Sequence, residues 1–405
     1  MVSVRTGGRT APPALTLFLC LFAGQAAVIA LSPVLADVAS DFDVSTATAG
    51  QLRSVSGLAA GLVALAMGVL SGRFGLRDLL LIGLVVLAAG SVLSAAAPTF
   101  AALAAAQVAV GAGLAVVLST ALAAAAAWSS EGQRTRVLSW TLVGQPGAWI
   151  LGMPVIGLVG EVSWRWAWIA VPFAASILAL VAVRTRCPDV ATEPATGTWR
   201  LLRRNPDVAG WALGELLAFS AWAGTLVFAG ALLVESYGSS PGTAGLLLGL
   251  AAVVYLPGNF LARRWVGHRS RTFLVVLALA AAGIVTVFGG YRPTPWASAA
   301  ILSVLAFVAG ARTIIASALG LEVCSQRQVF AMRMRAAATQ FGYLFGAVLG
   351  GVALAAWGYP GMGVTFAGLF VLAAIPHGIG LLAQRRPQPM DERVPGSHPG
   401  AGTSL

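Results

Sequence analysis

Long apolar stretches alternate with short polar ones along almost the whole chain. Most of the apolar stretches are close to the about 20 residues that a helix needs to cross a bilayer core. Glycine is frequent inside them, as it is in membrane helices, and no series of alternating apolar and polar residues predicts a β-barrel. The pattern predicts twelve membrane-spanning helices, at about residues 13–36, 47–69, 79–96, 100–127, 137–160, 165–184, 208–234, 241–262, 273–290, 297–318, 335–356 and 361–383.

The composition agrees with a membrane protein. The 405 residues are 58% hydrophobic and only 10% charged, whereas a soluble domain carries about 25% charged residues. Much of the protein surface must therefore face lipid, and the bilayer is an expected partner. The net charge of +11 does not predict nucleic-acid binding, because the arginines lie in short loops between apolar stretches.

Arginine is distributed unequally between the two sets of alternate loops. One set, together with both ends of the chain, holds nearly all the arginines outside the spans, and the other set holds only Arg165 and Arg292. Because arginine-rich loops stay in the cytoplasm, we expect both termini to be cytoplasmic. The apolar stretch after Arg5 and Arg9 is longer than the core of a signal peptide, so it is predicted to be an uncleaved first helix.

The longest internal polar stretch divides the chain into two halves. We expect a cytoplasmic tail at 1–12, a six-helix bundle at 13–184, a cytoplasmic linker at 185–207, a second six-helix bundle at 208–383 and a disordered tail at 384–405. The tail is rich in Pro, Gly and Ser, which is typical of disorder.

The polar loop after the second span has a distinctive spacing of glycine and arginine. Its pattern comprises Gly68, Arg73, Gly75 and Arg77, and a related spacing returns at 258–269 in the second half. The loop resembles the one between the second and third helices of the major facilitator superfamily. This resemblance implies an all-α membrane fold of 12 transmembrane helices in two pseudo-symmetric six-helix bundles.

Within that family the loop clamps the two bundles together when the carrier opens outward. The arginines of this loop can also bond the carbonyl groups at helix C-termini. The family usually carries an Asp at the fifth position, where this chain has Gly72. The clamp is therefore expected to be weaker here.

The fifth span and its following loop resemble the twelve-helix drug/proton antiporter branch, including its sugar-efflux relatives. The span carries Gly147, Gly152, Pro154 and Gly157, followed by a Trp-Arg-Trp sequence at 164–166. Small residues let helix backbones approach closely, and Pro kinks a helix. Generic membrane packing is the alternative interpretation of the glycines.

The fourth span departs from the same branch. Proton-coupled exporters often carry an Arg where this chain has Gln107, four residues before Gly111. The charge of the first half that is usually linked to proton movement is therefore absent.

Charges inside the spans are few, and buried charges in membranes are usually functional. Glu215 in the seventh span and Arg312 in the tenth differ in predicted depth by only about 3 Å. In the family fold, helices 1, 4, 7 and 10 line the central cavity, so we expect these two residues to pair. The pair could be static and specify packing, or Glu215 could exchange a proton as the cavity opens alternately to each side.

Arg53 lies near the predicted outer end of the second span. Asp37, Asp41 and Asp43 are close by along the chain. Arg53 could form an ion pair or gate at the outer face. Alternatively, its side chain could extend to the membrane interface.

Several residues could contact a substrate in the cavity, although each could instead join two helices. His377, in a helix that is peripheral in the family, is expected to be a packing or interfacial residue. The cavity candidates are Gln25, Arg53, Gln107, Gln145, Phe219, Trp222, Asn259 and Gln340.

No phosphate-binding loop, metal-ligand spacing or catalytic constellation occurs in the sequence. We therefore expect no enzyme activity and no cofactor, with the proton gradient as the energy source. The expected protein is a monomeric, multi-pass transporter of the bacterial plasma membrane. It would export a small amphiphilic or drug-like compound by proton-coupled antiport. An importer or uncoupled facilitator on the same fold, and a non-transporting membrane sensor, are the alternatives.

Overall fold

The computed structural model describes residues 13–70, 74–129, 133–187, 205–267, 269–324 and 328–384. Within these ranges the regular structure is helical and includes no strand, so the all-α prediction is confirmed. Eleven of the helices there are long and apolar enough to cross a membrane. Both ends of the chain lie outside these ranges, and the cytoplasmic orientation of the termini stays a prediction.

The membrane helices are numbered α1 to α11 along the chain. The middle segments of α5 and α6 are π-helical. The bounds are α1, Pro13–Ile29 and Leu31–Asp41; α2, Thr46–Leu70; α3, Leu76–Ala96; α4, Phe100–Ala127; α5, Arg134–Gly147, Ala148–Gly152 and Met153–Gly160; α6, Trp166–Trp168, Ile169–Phe173 and Ala174–Arg186; α7, Pro206–Tyr237; α8, Pro241–Val253 and Tyr255–Ala262; α9, Ser270–Gly290; α10, Pro295–Val323; and α11, Gln328–Gln384.

Polar side chains cap the first turns of five helices in the described ranges. Ser45, Thr99, Asn205, Ser240 and Thr294 precede α2, α4, α7, α8 and α10, and each side-chain oxygen accepts a backbone N–H bond of 3.1–3.3 Å. The first N–H groups of a helix have no partner within the helix, so these caps stabilise the starts. Each helix therefore begins directly after its capping residue.

The last helix, α11, is a hairpin. A single straight helix of its 57 residues would be about 85 Å long. The backbone leaves the helical region at Gly358, where φ is 65°. The Phe366 ring packs against Gly350, although a straight helix would separate the two residues by about 24 Å. The first limb (328–357) and the second limb (359–384) match the last two predicted spans, and the count of twelve crossings stays a prediction.

The predicted end of the first span is wrong, because α1 continues past residue 36 as far as Asp41. The first acidic residues of the expected loop, Asp37 and Asp41, therefore lie on a helix. Val38 and Ala39 are buried against the bundle, and this packing stabilises the last turns of the helix despite the neighbouring charges.

Three helix pairs make the most extensive contacts between the first half (α1–α6) and the second half (α7–α11). α2 packs on the first limb of α11, α5 packs on α8, and the Leu31–Asp41 segment of α1 packs on α7. In the predicted repeat, each helix of the first half corresponds to the helix six places later. The α2–α11 pair then corresponds to the α8–α5 pair, so these contacts agree with the pseudo-symmetry.

Close approach between the halves depends on glycine at the crossing points. A Cβ atom added at Gly57 of α2 would lie 2.8 Å from Leu344 N of α11, and one at Gly157 of α5 would lie 3.0 Å from Gly245 Cα of α8. Gly230 of α7 likewise faces the backbone of α1 with no space for a side chain. The backbones approach closely because these positions lack a Cβ atom.

A glycine-to-alanine pair tests the packing within the first half. Gly111 of α4 lies against the backbone carbonyl of Ser56 on α2. We expect Gly111→Ala to lower the melting temperature of the purified protein, at a cost of about 1–3 kcal/mol, because the two helices must separate. Gly283→Ala on α9, where nothing lies within 4 Å, is the control and should leave the melting temperature unchanged or slightly raised. Equal melting temperatures for both variants would contradict this packing.

Candidate functional site

Glu215 on α7 is held between two arginines. Its Oε1 lies 2.6 Å from Arg312 Nη2 on α10, and its Oε2 lies 3.2 Å from Arg335 Nε on α11. Glu215 is only 3% exposed. The pairing of Glu215 with Arg312, expected from their similar depth, is therefore present, and a third helix contributes to it. A carboxylate buried in this way needs such partners, because burial removes it from water.

Further bonds hold α7 against α10 next to this ion cluster. Arg312 Nη2 also donates to the carbonyl oxygen of Gly214 at 3.0 Å, and Trp211 Nε1 donates to the carbonyl oxygen of Ala316 at 2.8 Å. The orientation of the Arg312 guanidinium is therefore fixed by both the backbone and the carboxylate of α7.

Sequence reasoning missed the role of Arg335. The arginine pattern assigns this residue to a cytoplasmic loop, but it lies within the first limb of α11 with its side chain on Glu215. The predicted depths hid this contact, because Arg335 opens the predicted eleventh span whereas Glu215 lies seven residues, or about 10 Å, inside the seventh. In the structure α11 begins at Gln328, seven residues before Arg335, so the two side chains lie at similar depth.

His377 is a packing residue, which is one of the two placements expected for it. It is 1% exposed, which excludes the interfacial alternative. Its Nε2 lies against Gly214, the neighbour of Glu215, and has no hydrogen-bond partner among the residues that the structure describes. The imidazole fits there because Gly214 has no side chain. His377 therefore borders the ion cluster from the second limb of α11.

Arg53 on α2 is a separate buried charge. It is 3% exposed. Its Nη1 donates to Ser56 Oγ at 2.6 Å, and its guanidinium carbon lies 4.0 Å from the centroid of the Tyr343 ring on α11. Nε and Nη2 have no hydrogen-bond partner within the described ranges, and no carboxylate there pairs with Arg53.

The expected ion pair and the expected interfacial position of Arg53 are therefore both wrong, and a gate at the outer face stays a prediction. Burial excludes an arginine that reaches the interface, and Asp41 pairs with Arg165 at 3.2 Å instead. The reason is the length of α1, which places Asp41 at the end of the bundle. Arg53 lies about two turns inside α2.

A narrow cavity lies beside Arg53, between the two halves. In this conformation it has room for about one water molecule, so a larger occupant requires the helices to move apart. Arg53, Ser32 and Tyr343 supply its polar groups, and its remaining lining residues are Val28, Ile29, Leu31, Trp149, Met153, Leu226 and Val227.

A row of stacked aromatic rings crosses from the first half to the second. Trp149 on α5 stacks on Trp222 of α7 at 6.2 Å between centroids, and Trp222 stacks on Tyr255 of α8 at 6.4 Å. Phe219 of α7 contacts Tyr343 edge to face at 5.4 Å. Trp222 and Phe219 also line a second small cavity with Arg312. The aromatic surface thus connects the surroundings of Arg53 with those of Arg312.

Two of the predicted polar cavity residues have clear partners. Gln25 Nε2 of α1 donates to the Tyr343 hydroxyl at 3.4 Å, which places it next to the Arg53 site. Gln107 Nε2 of α4 donates to Ser94 Oγ of α3 at 2.9 Å. The amide of Gln107 therefore joins two helices of the first half and does not face the cavity.

The remaining polar candidates lie in three different places. Gln340 on α11 is buried, and Asn259 lies on α8 beside α10; their side-chain oxygens have no hydrogen-bond partner among the described residues. Gln145 on α5 is half-buried. The structure therefore does not gather these three amides around the Arg53 cavity.

The loop motif is only partly covered by the described residues. Gly68 lies in the last turn of α2, and Gly75 precedes the first residue of α3. Arg77 Nη2 donates to the carbonyl oxygen of Arg184 in the last turn of α6 at 2.8 Å, as expected for an arginine at a helix C-terminus. This bond lies within the first half. Arg73 lies outside the described residues, and the role of the loop between the bundles stays a prediction.

The fifth-span motif contributes to contacts with three helices. Gly147 faces the ring of Phe18 on α1, and Gly152 faces α6 and α1. Pro154 and Gly157 pack on α8, in the other half. Pro154 cannot donate a backbone hydrogen bond, and the π-helical segment of α5 lies directly before it. The motif therefore takes part in the contact between the halves.

The fold and the buried charges define a multi-pass membrane protein with a transporter architecture. The family model of the Major Facilitator Superfamily matches residues 17–230 and 211–401. The chain therefore belongs to this superfamily, whose members bind small-molecule substrates within the membrane. No curated protein sequence matches the chain.

Solved transporter structures share the fold over nearly the whole chain. A bacterial homologue of the human lysosomal transporter Spinster, inward-facing and unoccupied, has a TM-score of 0.72 at 14% identity, covering 94% of this chain and 98% of that chain. A nucleoside transporter has a TM-score of 0.72 at 16% identity, covering 91% and 99%. A D-xylose–proton symporter has 0.69 at 20% identity, covering 90% and 95%. The family and these structures indicate a transporter rather than an enzyme.

Removal of the buried carboxylate tests the ion cluster. We expect Glu215→Leu to lower the melting temperature strongly, by the equivalent of about 3–5 kcal/mol, because the buried Arg312 and the partly buried Arg335 lose their partner. Adding Arg312→Leu should restore part of the loss, since one unpaired charge is removed.

The half-exposed pair of Asp41 and Arg165 provides the control. Asp41→Asn should cost no more than about 1 kcal/mol, because water screens this pair. Equal decreases in melting temperature for Glu215→Leu and Asp41→Asn would show that the buried cluster contributes no more to stability than the half-exposed pair.

Proposed function

We propose that the protein is a secondary active transporter of the bacterial plasma membrane that exports a small amphiphilic or drug-like compound. In this proposal it acts as a monomer by alternating access, in exchange for protons. Its two bundles would comprise residues 13–184 and 208–383, joined by the linker 185–207. The observation that carries the proposal is the ion cluster of Glu215, Arg312 and Arg335. Glu215 is the one fully buried carboxylate of the described ranges.

A proton-carrying acid must be charged in one conformation and neutral in another. Here two guanidinium groups compensate Glu215, and they belong to different helices, α10 and α11. Movement of either helix relative to α7 would remove one positive charge from the carboxylate and favour proton uptake. Return of that helix would favour release. Glu215 is therefore the proposed proton carrier, and the arginines determine in which conformation it is charged.

The contacts between the halves suit a rocking movement. Ser32 Oγ of α1 donates to the carbonyl oxygen of Leu226 on α7 at 2.5 Å, and Gln51 Nε2 of α2 donates to that of Ala347 on α11 at 3.0 Å. Such single hydrogen bonds contribute about 1 kcal/mol each. These hydrogen bonds are weak, and the helices of the two halves cross at glycines, which have no side chains to interlock. Both features would allow the halves to separate and rejoin as rigid bodies.

The lining of the cavities supports an amphiphilic substrate. Trp149, Trp222 and Phe219 offer flat apolar surface, with few polar groups nearby. Such linings suit ligands that bury most of their surface. The fold alone does not select the substrate, because similar structures include transporters named for nucleosides, D-xylose and organic anions.

An importer or an uncoupled facilitator is the second candidate. Two observations favour it. The chain has Gly72 and Gln107 where related exporters carry an acid and an arginine, and the Gln107 amide is engaged with Ser94. The first half therefore lacks these charges, and any proton coupling depends on the second half.

The first transport experiment concerns Glu215. Wild-type protein and Glu215→Gln are reconstituted in proteoliposomes and tested with a compound panel under an imposed pH gradient. We expect Glu215→Gln to lose gradient-driven accumulation and to retain counterflow, because an amide cannot exchange a proton. Asp41→Asn is the control and should accumulate substrate as the wild type does. Gradient dependence equal to wild type in Glu215→Gln would refute the coupling role.

The second transport experiment separates the candidate functions. A protonophore is added to wild-type proteoliposomes that have accumulated substrate. A proton-coupled transporter should release the accumulated compound, because its driving force has gone, whereas a facilitator never accumulates compound above equilibrium. The direction of the gradient that drives accumulation distinguishes exporter from importer. Binding of compounds without any flux would instead indicate a sensor.

A further inference from the structure

Arg53 brings a positive charge to the cavity that no carboxylate among the described residues neutralises. Its side chain is buried, lines the cavity between the halves, and lacks a carboxylate partner within the described ranges. Charges buried in a membrane protein usually pair with each other or mark a ligand pathway. The uncompensated charge therefore requires an explanation beyond packing.

No carboxylate of the described ranges forms an ion pair with Arg53, and several of the acids there have other partners. Asp37 has a buried oxygen without a hydrogen-bond partner, but it forms no ion pair with Arg53 either. Of the described arginines inside the predicted spans, Arg53 and Arg312 are buried, and the single buried carboxylate, Glu215, already contacts Arg312 and the partly buried Arg335. Asp41 pairs with Arg165, and Asp207 pairs with Arg271. Glu161 accepts a hydrogen bond from Ser240, and Glu235 accepts hydrogen bonds from Thr46 and Tyr359. The core therefore has an excess of positive charge.

The Arg53 guanidinium is oriented with one edge free. Nη1 bonds Ser56, and the Tyr343 ring lies against the guanidinium face. Tyr343 is itself positioned by Gln25 and Phe219. Nε and Nη2, the two unpartnered nitrogens, form one edge of the planar group. Two parallel N–H donors on such an edge match the two oxygens of a carboxylate.

We propose that the transported compound carries an anionic group, such as a carboxylate, sulfonate or phosphate, that binds the free edge of Arg53. This inference rests on the proposed transport function and specifies its substrate class. The apolar part of the compound lies on Trp149, Met153 and Leu226, which line the same cavity. The narrow space at Arg53 widens to admit it when the halves move apart.

The test compares ligands that differ only in their head group. Full-length protein in lipid nanodiscs is titrated with compounds that share a naphthyl body and carry a carboxylate, a carboxamide or an ammonium group. Tryptophan fluorescence and thermal shift report binding. Wild type should bind the carboxylate at least about tenfold more tightly than the amide, as expected for a charge-assisted hydrogen bond, and should bind the ammonium compound least.

Variants of Arg53 then test whether this arginine causes the preference for the carboxylate compound. Arg53→Gln should lose the preference for the carboxylate and bind the amide as wild type does. Arg53→Lys should keep part of it, because it retains charge but not the fork of donors. Arg292→Gln is the matched control, since Arg292 also bonds a serine, Ser236, and lies over a tyrosine ring outside this cavity. It should leave the preference unchanged.

The outcomes that overturn the inference are distinct from those that overturn transport. Equal binding of the three compounds by wild type, a preference for ammonium, no binding of the carboxylate, or a preserved carboxylate preference in Arg53→Gln would refute it. The wild-type preference and Arg53→Lys decide the matter if Arg53→Gln does not fold. Proton-driven flux of neutral compounds alone would refute only the anionic class. Carboxylate preference without flux would refute only the transport proposal.

Discussion

The burial of Glu215 between Arg312 and Arg335 is the interaction on which the second half depends. In a membrane interior a lone charge costs several kcal/mol, so the contacts of Glu215 with both arginines stabilise the arrangement in which α7, α10 and α11 lie close together. Gly214 strengthens the arrangement, because its carbonyl oxygen accepts a bond from Arg312 and its missing side chain admits His377. The cluster thus holds the three helices together. A change in the position of α10 or α11 would also alter how much positive charge surrounds the Glu215 carboxylate.

Arg53 has the opposite character, although it is equally buried. Its neighbours orient it but do not neutralise it, and it lies where the two halves meet. The aromatic row through Trp149 and Trp222 links this free charge to the compensated cluster. A ligand bound at Arg53 would therefore lie against the same aromatic surface that borders Arg312. Substrate binding and the ion cluster can influence each other through the positions of α7 and α11.

The contact between the halves is compatible with the rocking movement that the proposed transport requires. Where Gly57, Gly157 and Gly230 cross the opposite half, the backbones touch without interlocking side chains. Dispersion contacts and single hydrogen bonds hold these crossings, and no ion pair among the described residues joins the two halves. The α2–α11 and α5–α8 pairs are equivalent in the repeat, so the halves can tilt about the cavity with similar contacts on either side.

The sequence by itself determined the all-helical membrane fold and the family, because apolar length and the glycine–arginine spacing of the loop are local properties. It also predicted that Glu215 and Arg312 meet, since depth in a bilayer follows from position along a helix. Only the tertiary structure decided which helix faces turn toward each other. It placed Arg335 and His377 at the cluster, turned Gln107 toward α3, and left Arg53 without the acid that lies near it along the chain. Helix rotation and the true length of α1 decide these contacts, and both depend on packing between distant segments rather than on spacing.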